Sequence, residues 1–270
     1  KILKKIIAIS SGKGGVGKST FAANFACALA TPGEKQRRVG LLDADVFGPS
    51  IPMLMGLSDL KPEIDVDTKN IIPLVSHNGV QCMSIGFLVD QKAAMVWRGP
   101  MVISAVQQLL FQVDWGELDT LVIDMPPGTG DTHLTLTQQL KLDASVIITT
   151  PQDVALLDVR RGAAMFEKVQ VPLLGIVQNM SHFVCPQCSH ESHIFGSNES
   201  TNKLAQQLNI PVLGEIPLDA ELPLSSDQGQ PIVVSNPQSP VAQSYFSISE
   251  NIRNRLDEET TTPPNIQFNK

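Results

Sequence analysis

Short apolar runs recur along the chain, each closing on a small, polar or acidic residue. They are Ile6–Ser10, Val39–Asp43, Val80–Ile85, Leu121–Asp124, Ala144–Thr149, Leu173–Gln178 and Val212–Ile216. Near-continuous apolar runs of this length fit strands buried on both faces. Between them, apolar positions recur every three or four residues. Phe21, Phe25, Ala28 and Leu29 form one such face, and Val102, Ala105, Val106, Leu109 and Val113 form another. A last helix carries Val241, Tyr245, Ile248, Ile252 and Leu256 on one side. The alternation predicts an α/β fold: a mostly parallel, twisted sheet with helices on both faces and right-handed crossovers. In such sheets ligands bind beyond the carboxyl ends of the strands. No repeat or linker interrupts the pattern, so residues 1–256 are expected to form one domain. The polar, proline-containing stretch 257–270 is expected to be a disordered tail.

Composition narrows the function classes. The net charge of −7 argues against electrostatic capture of nucleic acid or of an anionic membrane. No apolar run approaches the ~18–20 residues of a membrane span, so stable membrane insertion is not expected. The chain opens on Lys1-Ile2-Leu3-Lys4-Lys5 and passes straight into a strand, so no targeting peptide is expected within it. Four cysteines are too few for a disulfide framework in 270 residues.

Candidate chemistry begins at Gly12-Lys13-Gly14-Gly15-Val16-Gly17-Lys18-Ser19, followed by Thr20. This segment satisfies G-x-x-x-x-G-K-S/T between a strand and a helix, the context a phosphate-gripping loop requires. Its glycines let backbone N–H groups converge on phosphate oxygens, and the following helix turns its positive end toward them. Lys18 is expected to reach the β- and γ-phosphates, and the Ser19 hydroxyl to ligate Mg²⁺. Two strands close on carboxylates, Asp43-Ala44-Asp45 and Asp124. A carboxylate there lies beside the phosphates and can hold Mg²⁺ directly or through water. Pro126-Pro127-Gly128-Thr129-Gly130-Asp131 reads as a switch that senses the γ-phosphate.

The additional lysine, Lys13, makes the loop resemble the deviant phosphate loop of the dimeric ATPases related to MinD, ParA and the nitrogenase iron protein. That resemblance implies ATP as substrate and a face-to-face homodimer in which Lys13 reaches the partner's nucleotide. It further implies Asp124 and Asp45 as Mg²⁺-site carboxylates, with Asp45 positioning the attacking water and Asp43 close to the metal. Asn179 would bond adenine, and the Pro217–Asp219 loop would pack beside it.

Cys185 and Cys188 form a C-x-x-C in a loop after Asn179. Two thiolates can ligate one metal centre without completing a four-cysteine set. A symmetric dimer would supply four thiolates, suited to a shared [4Fe-4S] cluster. Zinc held within one chain by Cys185, Cys188 and His190 or His193 is a second reading, and a redox dithiol a third. Cys27 and Cys82 fall on a helix and a strand and are expected to be packing residues. His77 and His133 have no ligand spacing and are expected to make ordinary polar contacts.

The segments G-K-G-G-V-G-K-S-T, D-A-D-V-F-G-P-S-I-P, V-W-R-G-P-M, D-M-P-P-G-T-G-D, T-T-P-Q-D-V-A-L and Q-N-M-S-x-F-x-C-P-x-C occur here in one order. Together, over roughly Lys4 to Leu256, they resemble the Mrp/ApbC-type iron–sulfur cluster carrier ATPases, and most closely their mitochondrial branch. The resemblance implies a slow ATPase that assembles a [4Fe-4S] cluster across a homodimer and hands it to apoproteins, those of respiratory complex I included. It implies the mitochondrial matrix, or alternatively the bacterial cytoplasm. A MinD-like positioning ATPase and a zinc-binding scaffold are the rival readings.

Overall fold

The computed structural model describes residues 3–33, 36–89 and 97–258. The strands are β1 (Ile6–Ser10), β2 (Val39–Asp43), β3 (Leu74–Val75), β4 (Gln81–Ser84), β5 (Thr120–Asp124), β6 (Ala144–Thr149), β7 (Leu173–Val184), β8 (Glu191–Ser192) and β9 (Val212–Leu218). They join in the order β3-β4-β2-β5-β1-β6-β7-β8, with β9 also paired to β7. Every pairing is parallel except those of the two-residue strands β3 and β8. The expected fold class is therefore the observed one.

The helices are α1 (Lys18–Ala30), α2 (Ile51–Leu54), α3 (Gly99–Phe111), α4 (Asp131–Gln139), α5 (Asp153–Lys168), α6 (Asn198–Leu208), α7 (Glu221–Asp227), α8 (Ile232–Ser235) and α9 (Pro240–Glu258). Helix α1 is apolar nearly all round because it lies inside the molecule, between the sheet and α9. Phe21 stacks on Phe25 at 5.8 Å between ring centroids and meets Tyr245 of α9 at 5.9 Å. The five apolar positions read for the last helix are all buried on α9. That helix runs past Leu256 to Glu258, and Asp257 is ion-paired with Arg37 at 2.6 Å. The rest of the expected tail, 259–270, lies outside the described residues.

Two features of the frame position the site. Register places Ile9 of β1 and Asp43 of β2 on either side of Asp124 of β5. The phosphate loop and both strand-end carboxylates therefore emerge on one edge. The second feature is a seam between two glycines, Gly56 after α2 and Gly229 after α7. Both have positive φ, 67° and 68°. A Cβ on Gly56 would sit 2.9 Å from the Gly229 carbonyl oxygen, and one on Gly229 would strike the Gly56 backbone.

Strand β7 departs from expectation. The apolar pattern ends at Gln178, but the strand continues six residues to Val184. Cys185 and Cys188 accordingly sit not in a free loop but in the turn of a hairpin between β7 and β8, paired Phe183 to Ser192 and Val184 to Glu191.

Candidate functional site

The loop after β1 and the first turn of α1 line a cavity of about 450 Å³. Lys13, Gly14, Gly15, Gly17, Lys18, Ser19 and Thr20 line it from below, with Asp45, Pro127 and Asn179 around the rim. Gly12 and Val16 serve the loop from behind. A Cβ on Gly12 would collide with Asp158 of α5, so glycine is what lets that helix close on the loop. Val16 is buried, and its carbonyl accepts a 2.8 Å hydrogen bond from Asn179 Nδ2.

Gly17 is constrained twice. Its φ is +84°, and a Cβ would meet the same Asn179 amide. Gly15, at φ +80°, has open space where a Cβ would go. Left-handed backbone costs a non-glycine residue roughly 1–2 kcal/mol. Gly17→Ala is therefore expected to destabilise the chain by about 1 kcal/mol more than Gly15→Ala, the difference being the lost Asn179–Val16 bond. Denaturant unfolding of the two variants measures this, and equal losses would refute the steric part.

Lys18 is 6% exposed and Asp124 fully buried, and Nζ lies 2.5 Å from Oδ1. The ammonium also donates to Ser19 Oγ at 3.3 Å. The second oxygen of Asp124, Oδ2, is buried without a hydrogen-bond partner. Burial raises the pKa of Asp124, with the Lys18 charge pulling the other way. An unpartnered carboxylate oxygen beside a serine hydroxyl is chemically suited to a hydrated divalent cation. Among the described residues no three His, Cys, Asp or Glu side chains converge as a ready-made ligand set. Phosphate-bound Mg²⁺ does not require one, because it keeps several waters and takes only one or two carboxylates beside the phosphates.

Asp43 is braced into the protein. Its carboxylate accepts from the backbone N–H of Asp45 at 3.1 Å, Ser50 at 3.1 Å and Ile51 at 3.2 Å, and from Ser84 Oγ at 3.0 Å. Burial and the nearby Asp124 carboxylate push its pKa up to about 7. With four donors on its oxygens and no place on the cavity wall, Asp43 holds the loop that presents Asp45. Asp45 itself is half-buried at the rim, accepting from Gly48 N–H at 3.3 Å.

Lys13 turns to its own chain, Nζ donating to Gln152 Oε1 at 3.1 Å. Pro217 lies within β9, and Asp219 accepts from the Glu221 N–H at 2.7 Å, at the start of α7. The cavity wall on that side is Leu222, Pro223, Ser226 and Asp227 of α7, with Ser50, Met53 and Leu54 facing them from the α2 side. Sequence reading did not single these out, although Ser50-Ile51-Pro52 and Glu221-Leu222-Pro223 carry the early proline that opens a helix.

His133 of α4 is buried with Nε2 3.5 Å from Ser10 Oγ, and its ring meets Phe166 edge-on. Burial lowers its pKa to about 4. Cys27 and Cys82 are fully buried, as their positions imply, and burial pushes the Cys27 thiol up to about 12.

The hairpin turn is different. Cys185 N–H donates to the His190 carbonyl at 3.0 Å and Ser189 N–H to the Cys185 carbonyl at 2.8 Å. Hydrogen bonding from the backbone N–H groups of Cys188 and Gln187, and from the Cys188 thiol, lowers the pKa of Cys185. Cys188 is exposed. N–H groups aimed at a thiolate favour the charged form, which is the form that ligates metal. His193, from the zinc reading, is engaged elsewhere, with the Ser181 carbonyl and the Glu191 carboxylate each 3.3 Å from its ring nitrogens.

A family profile described as ParA: NUBPL iron-transfer P-loop NTPase matches residues 2–253. The chain belongs to this family. Among curated relatives, the iron–sulfur cluster transfer protein NUBPL of Mus musculus is 51% identical over 254 residues, covering 94% of this chain and 78% of the relative. The mitochondrial iron–sulfur protein required for NADH dehydrogenase of Arabidopsis thaliana is 51% identical over 263 residues, covering 97% and 82%. Among solved structures, a nucleotide-binding protein from Archaeoglobus fulgidus in complex with ADP superposes with a TM-score of 0.76 at 38% identity, covering 90% and 92%. Membership makes the loop at Gly12–Ser19 that of a P-loop NTPase.

Proposed function

We propose that this chain is a slow ATPase that, as a homodimer, holds a [4Fe-4S] cluster between Cys185 and Cys188 of each protomer. It passes that cluster to apoproteins, those of respiratory complex I among them. The observation that carries the reading is the hairpin turn between β7 and β8, which presents the two thiols of a C-x-x-C, Cys188 exposed and Cys185 half-buried. The names of the mouse and Arabidopsis relatives support the cargo, and the Arabidopsis name supports both complex I and the mitochondrion. The mitochondrial matrix is accordingly the compartment proposed, with the bacterial cytoplasm as the alternative.

Loop N–H groups and the α1 dipole cradle the phosphates. Lys18 exchanges Asp124 for the β- and γ-phosphate oxygens, where its charge offsets the charge that develops on transfer. Ser19, Asp124 and Asp45 would hold Mg²⁺, which supplies further charge neutralisation at the phosphates. Asp45 orients the attacking water from the rim, held there by the loop that Asp43 braces. Lys13 leaves Gln152 to reach the partner's nucleotide. Asn179 bonds adenine while keeping Val16.

Anaerobic reconstitution with iron and sulfide, followed by metal analysis and mass determination, tests the reading. Four iron atoms per two chains with iron–sulfur visible absorption is the expected result. One zinc per chain, with no iron retained, would overturn it.

A further inference from the structure

Strand β7 serves both sites. Asn179 ties it to the phosphate loop through Val16, and six residues later it delivers Cys185. Between them the strand is irregular. Pairing with β9 passes from Asn179–Ile216 to Phe183–Leu218, four steps along β7 against two along β9. Two additional residues are thus accommodated in a bulge, a device that redirects a strand and is frequent beside active sites. At its start Met180 has φ +55°, left-handed backbone that glycine takes freely and methionine rarely. Met180 also lines the nucleotide cavity.

The bulge is anchored on both sides. Ser181 is buried, and its hydroxyl donates to the Ile216 carbonyl of β9 at 3.1 Å. Its own carbonyl accepts from His193 Nδ1 at 3.3 Å, just beyond β8 on the returning arm of the hairpin. A rotation at Met180 therefore moves both arms of the turn that presents the cysteines.

We propose that the Met180–His182 bulge is the positioning element that couples the nucleotide cavity to the cysteine hairpin, so that occupancy of one alters the geometry of the other. The inference rests on Cys185 and Cys188 being the cargo site, but its physical content is a coupling between two places in one strand. A rim residue strained toward the cavity is biased by what fills it, and the anchors at Ser181 carry the change outward.

The test uses thiol alkylation of the reduced full chain, in which Cys27 and Cys82 are buried and Cys185 and Cys188 report. Labelling rates are compared without nucleotide and with ADP or ATP·Mg²⁺, at saturation established separately for each variant. In the parent chain nucleotide is expected to change the rate about fivefold or more, the lower end of ordinary site-to-site coupling. Met180→Gly, which releases the strain, and Ser181→Ala, which removes the β9 anchor, are expected to bring that ratio to within about twofold. A parent chain whose labelling ignores bound nucleotide would overturn the coupling. So would a Met180→Gly variant that keeps the parental ratio, the result if dimer formation alone shielded the thiols. Failure of the cargo reading looks different: nucleotide-responsive labelling in a chain that takes up no iron on reconstitution.

Discussion

Replacing either Cys185 or Cys188 by alanine is expected to abolish cluster uptake while leaving ATP affinity within about twofold of that of the cluster-free parent, since each alanine removes only a sulfur far from the phosphates. Each substitution acts twice in a symmetric dimer, removing two of four thiolates. A cluster with half its protein ligands gone has no remaining chelate on the axis. With no cluster bound in either chain, the nucleotide site should not register the change. The hairpin turn stands up to roughly 20 Å along β7 from Asn179, six residues at about 3.3 Å each. Neither cysteine packs in the core, so the free energy of unfolding should change by no more than about 0.5 kcal/mol. Iron content per chain, an ATP binding titration and a melt report the three quantities. Retention of four iron atoms by either variant sinks the assignment, and an equal loss of ATP affinity in both sinks the separation into two sites.

The second large effect concerns the ion pair at the floor of the cavity. Lys18→Met is expected to abolish ATP hydrolysis and also to cost the fold about 3–5 kcal/mol, because it leaves Asp124 buried and uncompensated. That stability loss distinguishes this lysine from one that meets only phosphate. Adding Asp124→Asn removes the stranded charge and should recover most of the loss, to within about 1–2 kcal/mol of the parent, without restoring hydrolysis. The check is a double-mutant cycle by denaturant unfolding alongside phosphate release. Additive losses would mean that the pair is not coupled in the folded chain.

What could be read in advance was local. The phosphate loop needs only a strand, glycines and a helix in succession, and the five apolar positions of α9 need only a period. Less legible was anything completed by a distant partner. Asp43 reads as a carboxylate close to the metal, and nothing local announces that Ser84, on a neighbouring strand, and the Ser50 and Ile51 amides donate to it. By hydropathy alone strand β7 stops at Gln178, because Asn179, Ser181 and His182 break its apolar pattern. Those side chains are accommodated by Val16, Ile216 and each other, contacts invisible to a hydropathy window. The cavity wall at α7 was missed for the same reason. Leu222 and Ser226 carry no chemistry, and only the packing of α7 near α2 makes them neighbours of the loop.

The glycine seam between Gly56 and Gly229 has a mechanical consequence. The α2 and α7 walls of the nucleotide cavity come from segments about 170 residues apart, yet just beyond each wall their backbones touch with no side chain between them. Side chains in contact can slide by changing rotamer, whereas main chain against main chain has no such slack. The two walls are thus riveted into a single jaw. Whatever opens the mouth of the cavity must swing that jaw as one body, carrying the Asp45 rim and the α7 wall together rather than spreading them apart.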